Sequence, residues 1–159
     1  MSNNESIIKA ITLDDDIAKI SVLEVPDQPG IAFKLFSAMS KEGIKIESIV
    51  QNVNRNSVND ITFTVPMEDA NKAQRVTNDF AMEVNAEKVV FDKGVALLSV
   101  IGSGIVANSD VATKFFKALY ETEINIQTIS TSEIKISCVI DKSMAKDALK
   151  QIYREFEVH

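Results

Sequence analysis

The residues best suited to chemistry lie close together near the start of the chain. Asp27 precedes Pro29-Gly30, a helix pattern follows at once, and Gln51-Asn52 closes the stretch 25–52. A helix start leaves backbone N–H groups unpaired and carries a partial positive charge, so it can hold a small anion such as a carboxylate. Gly30 lets a ligand approach the backbone, and the N–H groups of Ile31 and Ala32 are the expected donors. Asp27 can accept from an ammonium, and Gln51 can both donate and accept. That is the equipment for binding a free amino acid. The same residues also suit an ordinary turn, with Asp27 as helix cap and Pro29 in the first helical turn.

Other arrangements offer less. Asn125-Ile126, followed by Gln127, is a candidate polar patch at a strand start. Residues 102–107 spell G-x-G-x-x-A after a strand, but the next helix pattern begins near Asp110, outside the motif, so a dinucleotide site is not expected. Ser132 and Lys135 spell S-x-x-K within a strand pattern rather than on a helix, which argues against a nucleophilic serine. His159, the only histidine, is the last residue and has no partner for a triad or a metal site. No metal ligand set and no cofactor motif is read, and no catalytic residue is assigned.

The elements around these residues repeat. Residues 20–25 alternate as a strand, and Ala32, Leu35, Phe36 and Met39 give one apolar helix face ended by Gly43. Strands follow at 44–52 and 61–65, with 54–59 as a polar turn, then a helix with its stripe on Ala73, Val76, Thr77 and Phe80, and a strand at 88–91. The order is βαββαβ. It then begins again: Ala112, Phe115, Phe116 and Leu119 stand 80 residues after the first helix stripe. Strands at 97–101 and 134–138 and a helix over 143–156 complete a second unit except for its last strand. Residues 7–12 form a strand that the first unit does not need. That strand is expected to complete the second unit, making domains of 17–93 and of 5–14 plus 94–159, the first inserted in the second. The predicted class is α+β: two ferredoxin-like βαββαβ domains, antiparallel sheets with helices on one face. The paired phenylalanines, Phe33-Phe36 and Phe115-Phe116, are expected in the core.

Composition narrows the partners. A net charge of −6 and a pI near 4.8 argue against nucleic acid and anionic membranes. The longest apolar run, near 95–101, is too short to span a bilayer. A lone cysteine, Cys138, and no visible signal peptide fit a cytoplasmic setting.

The run IAKISVLEVPDQPGIA, with GIKIESIVQN, DITFTVP and INIQTISTSEIKISCVID, resembles tandem ACT domains, and more closely the regulatory region of aspartokinase. The resemblance covers nearly the whole chain. It implies feedback control of the ATP-dependent phosphorylation of aspartate, with lysine or threonine as effector and no catalytic site in this chain. It implies effector contacts at Asp27, Ile31, Ala32 and Gln51 from the first repeat and Asn125 and Ile126 from the second. It also implies a homodimer through ACT domains and an aspartokinase catalytic domain or subunit as partner. A free-standing ACT-repeat regulator, or a small regulatory subunit of another amino-acid biosynthetic enzyme, is the alternative. The second copy departs from the family, with Asn108-Ser109-Asp110 where many relatives carry a His-Pro-Gly-type loop.

Overall fold

The computed structural model describes residues 8–53, 56–107 and 109–156. The chain divides into two compact units, one over Asp16–Lys93 and one that joins Gly94 onward to the strand before Asp16. His159 and Asn108 lie outside the described residues.

The first unit contains β2 (Ile17–Pro26), α1 (Ile31–Lys41), β3 (Ser48–Val53), β4 (Val58–Pro66), α2 (Ala70–Val84) and β5 (Lys88–Asp92). Its antiparallel sheet has the order β3-β4-β2-β5. Alternation along β2 and β4 turns Ile20, Val22, Val25, Ile61, Phe63 and Val65 to one face. There they bury against Leu35 and Met39 of α1 and Ala73, Phe80, Ala81 and Val84 of α2. Thr77, buried in the α2 stripe, satisfies its hydroxyl by donating to the Ala73 carbonyl at 2.7 Å.

The second unit contains β6 (Val95–Gly102), α3 (Ser109–Glu121), β7 (Thr128–Ser132), β8 (Lys135–Asp141) and α4 (Ala145–Glu155). Its sheet order is β1-β6-β8-β7, where β1 (Ile8–Asp14) pairs antiparallel with β6. Thus β1 holds the place in the second sheet that β5 holds in the first. Its Ile8, Ile11 and Leu13 pack against the second core, formed by Leu98, Val100, Phe115, Leu119, Ile136, Ile152 and their neighbours.

Two internal likenesses were not visible in the sequence. Ser21 and Thr62 share a hydroxyl hydrogen bond (2.9 Å) across β2 and β4, and Ser99 and Ser137 share one (2.7 Å) across β6 and β8. Both helices α1 and α3 end in the same way. Ile44 N–H reaches the Met39 carbonyl at 3.0 Å, and Ile124 N–H reaches the Leu119 carbonyl at 3.1 Å. The residue at the bend is left-handed in each, Gly43 at φ 69° and Glu123 at φ 55°.

Several local expectations change. Phe33 is 75% exposed on α1 rather than in the core, while Phe115 is buried and meets Phe116 edge-on at 5.3 Å. Ile134 belongs to the β7–β8 turn, not to a strand. Asn59 belongs to β4 and is buried, not part of the preceding polar turn.

Candidate effector site at the start of helix α1

The site begins with an irregularity in β2. The pairing of β2 with β4 shifts between Val22 and Val25, and Glu24 sits there at φ 55°. Its N–H donates to Asp60 Oδ1 at 2.9 Å. A hydrogen bond with the Glu87 carboxyl, and then that group's charge, hold the exposed Glu24 carboxyl above its ordinary value. Past this bulge, Val25 and Pro26 return to register with Asn59 and Val58, and the chain leaves the sheet at Asp27.

Asp27 is tied twice to the β3–β4 hairpin. Its N–H donates to the Ser57 carbonyl at 3.0 Å, and its carboxylate accepts from Asn59 Nδ2 at 3.3 Å. It therefore does not cap the helix. The N-cap is Gly30, at φ 89°, with no side-chain capping bond, and Pro29 precedes the helix rather than opening it. A left-handed cap of this kind favours glycine.

The first helical bond runs from the Lys34 N–H to the Gly30 carbonyl at 3.0 Å. Ile31 N–H leans back on the Gln28 carbonyl at 3.4 Å. The N–H groups of Ala32 and Phe33 have no acceptor among the described residues. So the open donors are Ala32 and Phe33, one position along from the expected Ile31 and Ala32. Gly30 and Ala32 are exposed and Ile31 is half-buried against the first core.

Gln51 lies on β3 opposite Ile61, and Val53 lies opposite Asn59. Paired residues share a face, so Gln51 stands exposed at the sheet edge on the face that carries Asn59 and the core. The structure thus brings Asp27, Gly30, Ile31, Ala32 and Gln51 into one unit, on elements joined by β4. Asn125 and Ile126 belong to the other unit, between α3 and β7. Asn125 is exposed and Ile126 packs against the second core. The neighbouring Gln127 already spends its amide on Asp141 Oδ1 at 3.4 Å.

The other sequence motifs meet at the equivalent end of the second unit. Ser103, Gly104 and Ala107 face residues 131–134 across a cavity of about 580 Å³. The G-x-G-x-x-A run forms a strand end and a short turn, Ile105–Ala107, beside an antiparallel sheet, and α3 starts after it. That geometry does not present a pyrophosphate cradle. Ser132 and Lys135 flank a hairpin turn. No group of three or more His, Cys, Asp or Glu among the described residues could hold a metal ion. No helix among them is long and apolar enough to cross a membrane.

Asn59 is the residue that sequence reading missed. The signal was present: Asn59, Ile61, Phe63 and Val65 continue one alternation, which places Asn59 on the inner face.

Two antiparallel sheets, each backed by two helices, with one open helix start beside a tethered carboxylate in the first, define a tandem α+β class. Comparison with known proteins makes this particular. The ACT domain family profile matches residues 20–79 and 98–156. Aspartate kinase of Pseudomonas fluorescens is 39% identical over 157 residues, covering 99% of this chain and 38% of the relative. The chain therefore spans well under half of such full-length kinases. The ligand-free regulatory subunit of aspartate kinase from Thermus thermophilus is 33% identical, with a TM-score of 0.88 over 94% of this chain and 99% of that one. Aspartate kinase from Synechocystis superposes with a TM-score of 0.89 at 34% identity, over 96% of this chain and 27% of that one. The chain belongs to the ACT domain family, in the tandem form of the aspartokinase regulatory region.

Proposed function

We propose that this chain is the amino-acid-sensing, allosteric part of an aspartate kinase. It binds lysine or threonine and passes that state to an aspartokinase catalytic domain or subunit, controlling ATP-dependent phosphorylation of aspartate in lysine, threonine and methionine biosynthesis. The chain itself carries no catalytic residue, and its setting is cytoplasmic. The two ACT domains span 17–93 and 5–14 plus 94–159.

The observation that supports this reading is the pairing of two open helix-start donors, on Ala32 and Phe33, with the tethered carboxylate of Asp27. A zwitterion places its carboxylate on the N–H groups and its ammonium on an acidic acceptor. Gly30 and Ile31 shape the approach, and Gln51 meets the ligand's polar atoms from the sheet edge. Asn125 and Ile126 of a second chain close the site, which makes the working form a homodimer. Effector binding favours one arrangement of the dimer. A near-complete shift of the attached kinase needs a differential affinity of about 5 kcal/mol between its two states.

Titration calorimetry with lysine, threonine and methionine tests the proposal. Saturable heat with lysine or threonine is expected; no heat with any of the three removes the sensing role.

A further inference from the structure

We propose that Asn59 is a positioning residue of the effector site, acting through Asp27; the inference rests on the sensing role proposed above. Asn59 is only 5% exposed, at the start of the central strand β4 between Val25 of β2 and Val53 of β3. A polar side chain there has to justify its burial through a partner. It has one: Nδ2 donates to Asp27 Oδ1 at 3.3 Å. A carboxylate only accepts, so the amide must turn its nitrogen to Asp27. The result is that Asn59 Oδ1 is left buried with no hydrogen-bond partner.

An apolar residue at this place in β4 would avoid the orphan oxygen and its desolvation cost. The second unit carries an apolar residue at the matching point of its hairpin, though in the β7–β8 turn rather than in a strand. Cys138 stands to Ile129 as Phe63 stands to Ile49, and carrying that match along the strand sets Ile134 against Asn59. Ile134 is 57% exposed and has no group that could hold a carboxylate. Among the described residues the second unit ties its loop to its hairpin through the backbone, Gly102 N–H to the Ile134 carbonyl at 2.7 Å. The first unit adds the side-chain tie from Asn59 to Asp27, and Asp27 is the acid meant for the ligand's ammonium. The amide holds one carboxylate oxygen and leaves the other to the ligand. A carboxylate held this way loses less rotamer freedom when it binds.

The test uses the full chain and the one of lysine, threonine or methionine that wild type binds best. Asn59→Leu keeps the size and removes the donor, and is expected to weaken binding about tenfold. In an Asp27→Asn background the same change is expected to add less than about twofold, because Asn59 works through the Asp27 charge. Asn59→Asp supplies a readout that mere structural support would not move. Its carboxylate faces that of Asp27, so binding is weak at pH 8 and recovers toward the wild-type value by about pH 5, where the pair shares a proton and regains a donor. The adjacent Asp60 points to the opposite face, where it accepts from the Glu24 N–H, so it does not face this pair. Should Asn59→Leu fail to fold, the pH profile of Asn59→Asp decides alone. If wild type binds and the variants bind equally well, or the losses add in full, or no recovery occurs at low pH, the assignment of Asn59 falls and the sensing role stands. If wild type binds none of the three amino acids, both fall.

Discussion

A free amino acid carries opposite charges a few ångströms apart, so a site that binds it needs two kinds of group held at one spacing. In the proposed site, Asp27 and the N–H groups of Ala32 and Phe33 would provide them from a single loop and helix start. Replacing Asp27 by Asn keeps the shape and removes the charge. A hydrogen bond to a charged group is worth about 1.5–3 kcal/mol, so effector affinity should fall by about 10- to 100-fold with the unfolding midpoint little changed. Calorimetry and a denaturation curve on the same sample check both halves. Cys138 makes the opposite case, a group whose burial keeps it out of chemistry. Desolvation in the second core pushes its thiol up to about 12 from an ordinary 9.0. A raised folded value favours the protonated form, so its stabilising effect is intact below about pH 9 and is lost as pH rises from about 9 towards 12. Stability of wild type should decline more steeply over that range than stability of Cys138→Ala, measured by urea denaturation. At this scale the sequence named Asp27, Gly30 and Gln51 because glycine, proline and acid types mark a turn. It missed Asn59, because a polar run from 54 to 59 reads as loop and the partner that justifies its burial lies 32 residues away.

The ends of α1 and α3 carry equal geometry on unequal residues. Gly43 adopts its left-handed turn freely, whereas Glu123 does so against the contact between its Cβ and the backbone. Glu123→Gly should therefore stabilise the second unit by up to about 1 kcal/mol, and Gly43→Glu should destabilise the first by a similar amount. Nothing lies within 4 Å of a Cβ built on Gly43, so the cost is conformational rather than steric. Chemical denaturation of the two variants checks the pair. The helices were the most legible elements, since Leu35 and Met39, like Phe115 and Leu119, declare a buried stripe by spacing alone. The helix starts were less so. Asp27 and Pro29 have the types for a cap and a first turn, but the tie of Asp27 to Ser57 and Asn59 draws it into the sheet's orbit and leaves Gly30 to begin the helix. Tertiary bonds overrode the local preference there.

The whole molecule is two units made from a chain that visits the second, builds the first and returns. Counting strands revealed this, since a βαββα remnant at the end and a surplus strand at the beginning fit each other. The hydrogen-bonded register of β1 with β6, from Ile8 opposite Gly102 to Asp14 opposite Leu97, is how the fold accomplishes it. Removing β1 would strip one flank of β6 of its ladder and uncover the core beside Leu98 and Val100. A chain lacking residues 1–15 should lose amide-exchange protection in β6 and β8, while β2 and β4, which have their own core, keep theirs. Exchange measured by mass spectrometry would read this directly.

Sensing by one end of the first unit requires a local response to a free amino acid. Its most direct test follows the backbone amide resonances of the full chain as lysine or threonine is added. The largest shifts should fall on Ala32 and Phe33, followed by Asp27 and the Gln51 side-chain amide, with saturation. Saturating shifts centred on residues 103–107 and 131–134 of the second unit, with α1 unmoved, would remove that role from the first unit.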